Sequence, residues 1–197
     1  AGWRIEIKRY PRLTNFAAWR PQASWKEWAA NGHRYTYADS CNAYGGYYTQ
    51  DQLRHLVAYA AQRGITIVPE IEMPGHSEEV LTAYPELSCT HQPYLQADFC
   101  PGSIATYDFL ENVLSEVMDV FPSKYIHIAR MGNFLQRHGR QLVGWDEVIA
   151  ANLPANTTVM VWRDTQYAHR ALQHGYGGVL SPGAYCYLDA YQDAPHT

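Results

Sequence analysis

A helix–glycine–strand unit, repeated along the chain, narrows the choice of fold more than any other feature. Thr49-Gln50-Asp51-Gln52 fits a capping box, and Leu53, Leu56, Val57 and Ala60 follow with helical spacing on one face. Gly64 supplies the left-handed stop that ends helices, and residues 65–68 (Ile-Thr-Ile-Val) then form a short apolar, β-branched run expected to be a buried strand. Leu110, Val113, Leu114 and Val117 mark a second helix, before a strand at residues 125–128. A third helix at residues 134–138 stops at Gly139 and leads into a strand at residues 141–145. Residues 158–162 read as another strand, 167–174 as a helix ending at Gly175, and 178–181 as the last strand.

Strands alternating with helices at this rhythm predict a parallel β/α architecture. The residues that follow the strands favour a barrel. Glu70 and Glu72 follow the first strand, Asp146 and Glu147 the third, Asp164 the fourth, and Asp189 lies beyond the fifth. Carboxylates at the C-terminal ends of successive strands are what a (β/α)8 TIM barrel uses to build an active site. A doubly wound open sheet is the alternative, but no glycine-rich phosphate fingerprint follows any strand. About five strand–helix units are visible, against the eight of a closed barrel. Residues 4–48 read as a long loop rich in Trp, Tyr and Pro, without periodicity.

Charge and composition exclude several functions. A net charge of -4, with no Lys/Arg cluster, argues against nucleic acid, whose phosphates need a basic face. No apolar run approaches the roughly 20 residues of a membrane-spanning helix. The nine histidines lack the i, i+4 pairing of a zinc helix and the acidic residues fit no calcium loop, so neither metal nor cofactor is expected. Six Trp, 16 Tyr and five Phe offer broad faces with polar tips, which suit sugar rings and equally fill cores. Cys41, Cys89, Cys100 and Cys186 include no C-x-x-C pair. Cys89 and Cys100 are near enough to close a short loop in an oxidising compartment, but spacing alone leaves the pairing open.

Several motifs, taken in order, resemble one family. Gly2-Trp3-Arg4-Ile5-Glu6-Ile7 with Tyr10-Pro11-Arg12-Leu13-Thr14 is similar to the stretch after the second barrel strand of glycoside hydrolase family 20, the β-N-acetylhexosaminidases. Gly45-Gly46-Tyr47-Tyr48-Thr49-Gln50-Asp51 resembles that family's entry to its next helix, and Val68-Pro69-Glu70-Ile71-Glu72-Met73-Pro74-Gly75-His76 its third strand. Gly144-Trp145-Asp146-Glu147, Val161-Trp162 and Tyr185-Cys186-Tyr187-Leu188-Asp189 resemble its fifth, sixth and seventh strands. Pro-Gly-His alone is a weak signal; the ordered set is specific and covers nearly the whole chain.

The resemblance implies exo-acting hydrolysis of terminal β-linked N-acetylglucosamine or N-acetylgalactosamine, with the substrate's own acetamido oxygen as nucleophile. It implies one Asp to orient the acetamido group and an adjacent Glu as acid and base, ending the fourth strand in a His-x-Gly-Gly-Asp-Glu context. Here the sequence departs from the pattern. Tyr125-Ile126-His127-Ile128 matches that strand, but Ala129-Arg130-Met131-Gly132 stands where Gly-Gly-Asp-Glu belongs. Residues 1–197 are therefore expected to be one catalytic-barrel domain, incomplete at both ends and near 128–131. The alternative is a non-catalytic amino-sugar-binding relative that has lost the acid.

By resemblance, His76 joins a hydrogen-bond relay that tunes the acid, although a histidine at a helix start is also commonly satisfied by backbone. Trp145 and Trp162 wall the sugar pocket, or pack the barrel rim. Tyr187 holds the acetamido oxygen and Asp189 binds sugar hydroxyls; the bland alternative for both is a polar loop anchor. Glu70 and Glu72 lie two apart, about 7 Å along one strand face, close to the spacing of an inverting acid/base pair. The resemblance assigns them, with Asp146 and Glu147, to a supporting polar network instead. The partners implied are N-acetylhexosamine-terminated glycans, and the compartment an extracytoplasmic one (periplasmic, secreted or lysosome-like). Oligomeric state is not legible.

Overall fold

The structure, a computed structural model, describes residues 2–128, 131–151 and 153–186. The chain divides into two compact units, Ala1–Ser123 and Lys124–Thr197.

The first unit holds helix α1 (Arg12–Asn15), strand β1 (Trp19–Arg20), α2 (Trp25–Ala30), β2 (Tyr44–Gly45), α3 (Gln50–Ala61), α4 (Glu78–Ala83) and α5 (Ile104–Val120), with a single 3-10 turn at Pro85–Leu87. The expected capping box starts α3: the Thr49 hydroxyl accepts from the Gln52 amide at 3.2 Å, and the Gln52 side chain accepts from the Thr49 amide at 2.9 Å. Gly64 takes the left-handed φ of +69° just past the helix. Leu53 and Ala60 are buried, but Leu56 is exposed, so the apolar stripe of α3 is narrower than its sequence pattern indicates.

Helix α5 is the centre of this unit. Leu110, Val113, Leu114 and Val117 are all buried, as their spacing requires. Beside them Phe109 packs with Tyr10, Tyr84 and Phe99 at centroid separations of 4.4, 5.7 and 5.9 Å. On another side of α5 the Glu116 carboxylate accepts from the Lys8 amide at 2.7 Å, the Arg9 amide at 3.0 Å and the Gln50 side chain at 2.7 Å. One side chain thus ties the N-terminal segment and α3 to α5.

Two expectations change here. Residues 65–68 belong to no ladder; Ile65 is 58% and Val68 42% exposed. Their β-branched side chains favour an extended backbone, but burial needs neighbouring strands and a covering layer. Residues 4–48 are more than a loop. Strand β1 pairs antiparallel with β2 in the register Trp19↔Gly45 and Arg20↔Tyr44, and α2 lies between them, with the Ser24 side chain capping its N-terminus. Glycine is required at position 45, where an added Cβ would lie 2.1 Å from the Ala18 carbonyl oxygen.

The second unit holds β3 (Tyr125–His127), α6 (Gly132–Arg137), β4 (Gln141–Trp145), a 3-10 turn (Asp146–Ala150), β5 (Thr158–Val161), α7 (Thr165–Gln173), β6 (Gly177–Leu180) and α8 (Gly183–Cys186). The four strands form one parallel sheet in chain order β3-β4-β5-β6, with registers such as Ile126↔Leu142, Gly144↔Val159 and Val159↔Gly178. A doubly wound sheet reverses its strand order at a switch point; consecutive pairing without reversal is how a barrel wall is laid down. Gly139 and Gly175, both with φ between +70° and +77°, end α6 and α7. Val148, Ile149, Val159, Val161, Ala171 and Tyr176 form the core between the sheet and α7.

Candidate functional site

The carboxylates of the first unit lie on the segment that leads to His76. Pro69, Ile71 and Met73 are buried and Glu70 and Glu72 exposed, so the two acids share the outward face, as period-two alternation requires. His76 is also exposed and adopts a left-handed φ of +54°, uncommon for a residue with a Cβ. Neighbouring groups hold it there. The Ser77 hydroxyl donates to the Gly75 carbonyl at 2.9 Å, and the Ser77 amide donates to the Ala97 carbonyl at 2.9 Å. On the other side the Phe99 amide donates to the Pro74 carbonyl at 2.9 Å. Residues 97–99 therefore grip the turn before and after His76. A disulfide between Cys89 and Cys100 closes the loop that carries them.

Just beyond this turn, burial raises the pKa of Glu79 on α4; its own backbone N–H works against that rise. Tyr35 is pushed above the usual phenol range, first by burial and then by the charges of Glu79 and Glu78. Glu78 lies 3.8 Å from the His33 ring.

In the second unit, the C-terminal ends of the strands carry the sequence-predicted residues. Trp145 ends β4, half-buried, and meets the buried His127 at the end of β3 edge-on, with ring centroids 4.9 Å apart. Gly144 permits this approach of β3 and β4: a Cβ there would lie 3.0 Å from the Ile128 carbonyl oxygen and 2.9 Å from Val148. Asp146 is buried and works as a brace. One carboxylate oxygen accepts from the backbone amides of Trp162 and Arg163 at 3.1 and 3.2 Å, and the other from the Arg163 guanidinium. Glu147 is exposed and accepts from the Trp162 indole N–H at 3.0 and 3.3 Å. The guanidinium of Arg163 also lies 4.0 Å over the Tyr167 ring. Desolvation works against this cation, but the hydrogen bond and charge of Asp146 outweigh it and raise its pKa. Asp164 caps α7, accepting from the Gln166 amide at 2.8 Å.

The structure thus links Trp162, Asp146 and Glu147, through Arg163 as well as directly. Sequence reasoning missed Arg163, whose only signal is its place between Trp162 and Asp164 at a strand end. Tyr187, Asp189, Ala129 and Arg130 lie outside the described residues. Among the described residues no three His, Cys, Asp or Glu side chains gather as a metal site would need, and no helix is long and apolar enough to cross a membrane.

A parallel sheet paired in chain order, with tryptophans and carboxylates at its C-terminal edge, is part of the wall of a (β/α)8 barrel, the fold that keeps its active sites at that edge. The chain belongs to glycosyl hydrolase family 20: the family's catalytic-domain profile matches residues 1–130 and 128–197. A β-hexosaminidase of Porphyromonas gingivalis is 32% identical over 238 residues, covering 98% of this chain and 29% of that protein. The crystal structure of a β-N-acetylhexosaminidase from Bacteroides fragilis superposes with a TM-score of 0.76 at 33% identity, over 91% of this chain and 41% of the other. An exo β-N-acetylglucosaminidase from Vibrio harveyi, solved with N-acetylglucosamine, gives 0.74 at 28% identity, over 92% of this chain and 34% of the other. The chain spans less than half the length of each of these relatives.

Proposed function

We propose that the protein is an exo-acting β-N-acetylhexosaminidase that removes terminal β-linked N-acetylglucosamine or N-acetylgalactosamine with retention of configuration. The observation that carries this reading is the family match along the whole chain, joined to the Trp145/Trp162 strand-end constellation. The acetamido carbonyl oxygen attacks the anomeric carbon as the glycosidic C–O bond breaks and a protein acid protonates the leaving oxygen. Water then opens the cyclised intermediate, losing its proton to the same carboxylate. The Asp-Glu pair for these steps is absent from the 197 residues, and the family match resumes at 128, where Gly-Gly-Asp-Glu belongs. That junction supports placing the missing segment there, within a single barrel domain.

In this reading Trp145 and Trp162 wall the acetamido pocket, and the bond from Trp162 to Glu147 fixes the angle of its indole. Tyr187 holds the acetamido oxygen, Asp189 the sugar hydroxyls, and His76 belongs to the relay behind the acid. Glu70, Glu72, Asp146 and Glu147 support these groups. The partners are N-acetylhexosamine-terminated glycans, and the Cys89–Cys100 bond favours an oxidising, extracytoplasmic compartment.

The test is turnover by the full-length protein of p-nitrophenyl N-acetyl-β-glucosaminide, with tight inhibition by a thiazoline mimic of the cyclised intermediate. No turnover by a preparation of verified mass would overturn it. The departure at Ala129-Arg130-Met131-Gly132 favours a second reading, a relative that binds the amino sugar without cleaving it. Calorimetry showing N-acetylglucosamine binding without hydrolysis would select that reading.

A further inference from the structure

The excursion between β1 and β2 carries an aromatic corner that the proposed reaction leaves unused. Trp25 opens α2 and is 58% exposed, while Trp28, one turn on, is buried. Their rings stand 5.0 Å apart with 55° between planes. The Arg20 guanidinium is set among three rings, 5.8 Å from Trp25, 5.4 Å from Trp28 and 5.2 Å from Tyr44. It also donates to the Ala23 carbonyl at 2.7 Å, which fixes its direction. Tyr44, opposite Arg20 in the strand register, is 53% exposed.

Trp28 is the structural member of this group. Its indole N–H donates to the Arg34 carbonyl at 2.7 Å, and its ring packs on His33 and Tyr35 at 4.4 and 5.7 Å. Nothing in that packing needs Trp25 to remain in water, where a bare indole face is costly to expose. The excursion also reaches the segment that follows His76. His33 lies 3.8 Å from Glu78, and Tyr35 stacks on Tyr94, its amide donating to the Tyr94 hydroxyl at 3.3 Å.

We propose that Trp25, Arg20 and Tyr44 form a separate glycan-binding site, which takes one pyranose unit of a longer glycan. This rests on the hexosaminidase reading above. A pyranose presents an apolar C–H face that fits an indole, and hydroxyl and acetamido oxygens that accept from a guanidinium at the ring edge. A neutral ligand suits one guanidinium enclosed by aromatic faces; an anion would draw on further donors, as in bidentate carboxylate and phosphate sites.

The experiment compares Trp25→Ala and Trp25→Phe with the native full-length enzyme on two substrates. One is p-nitrophenyl N-acetyl-β-glucosaminide, a single sugar; the other is N-acetylchitotetraose. Trp25→Ala should leave kcat/KM for the single sugar unchanged and lower it for the tetramer about three- to tenfold, mainly through KM, as loss of one aromatic contact predicts. Trp25→Phe should recover most of that loss. Equal effects on both substrates, or none on the tetramer, would overturn the site. If the native protein cleaves neither substrate, the hexosaminidase reading fails and calorimetry with N-acetylchitotetraose decides the site separately. Weaker binding in Trp25→Ala then supports it, and equal binding overturns it.

Discussion

In residues 124–186 the backbone supplies the order, through four strands paired in sequence and a compact apolar core beneath them. In residues 2–123 side chains supply most of it. Glu116 collects three donors, Phe109 anchors an aromatic cluster, and a disulfide closes the loop that grips the His76 turn. Apart from the short β1–β2 pair and isolated bridges at Ile5, Tyr48 and Glu70, the described ladders all lie in the second unit. A region built on ladders is robust to loss of single side chains outside its core. A region built on side-chain ties has local points of failure, and those ties surround its candidate catalytic segment.

The severest challenge to that contrast is Asp146→Ala. Asp146 is the exception in the ladder-built unit, a buried carboxylate serving Arg163 and two backbone amides. Removing it should cost about 2–3 kcal/mol, because two backbone amides and the partly exposed Arg163 guanidinium lose a buried, charged acceptor. Urea denaturation measures the loss, and hydrogen exchange should locate it after residue 124. A loss below about 1 kcal/mol would mean that the ladders alone hold this unit.

Removing the disulfide, by Cys89→Ser with Cys100→Ser, should cost about 2–3 kcal/mol for so short a loop. Exchange should rise around residues 74–77 and 97–100 and stay unchanged in the parallel sheet. An even rise through both units would erase the distinction between them.

The smallest expected effect is electrostatic. Burial raises the folded-state pKa of Glu79, so its contribution to stability is full below the unfolded carboxyl value and is lost as pH rises through the folded one. Glu79→Gln should therefore be more stable than native at neutral pH, with the difference vanishing in acid. Thermal melts across that range check it, and parallel curves for the two proteins would show that the burial cost is not felt.

The same contrast explains what was legible in the sequence. Gln141–Trp145 and the four buried apolar positions of α5 follow from periodicity, because a ladder or a helix face imposes its own period on the residues that fill it. The stops at Gly64, Gly139 and Gly175 follow from the positive φ that each adopts. Residues 65–68 misled because apolar β-branched composition signals extended backbone, whereas burial depends on neighbours that such a run cannot specify. Helix α2 was hidden by its length of six residues, although Ser24 and Glu27 stand at capping-box spacing. The Asp146–Arg163 pair joins residues 17 apart, and no local pattern records a contact of that kind. Trp145 and Trp162 were named from resemblance; that Glu147 holds the Trp162 indole emerged only from the geometry.

The neck of the β1–β2 excursion bears on how such a chain can diverge. Trp19 faces Gly45 across the pair, and the Gly46 amide reaches the Ala18 carbonyl at 3.3 Å, so the arm leaves and returns at one point. Closing a longer arm over the same neck costs little, since the entropy of loop closure grows only logarithmically with length. The arm can therefore change length in descent or by grafting, provided that the contacts of His33 with Glu78 and of Tyr35 with Tyr94 are kept. Gly45 is the part of the graft junction that must be kept, because no larger residue lets the two ends meet.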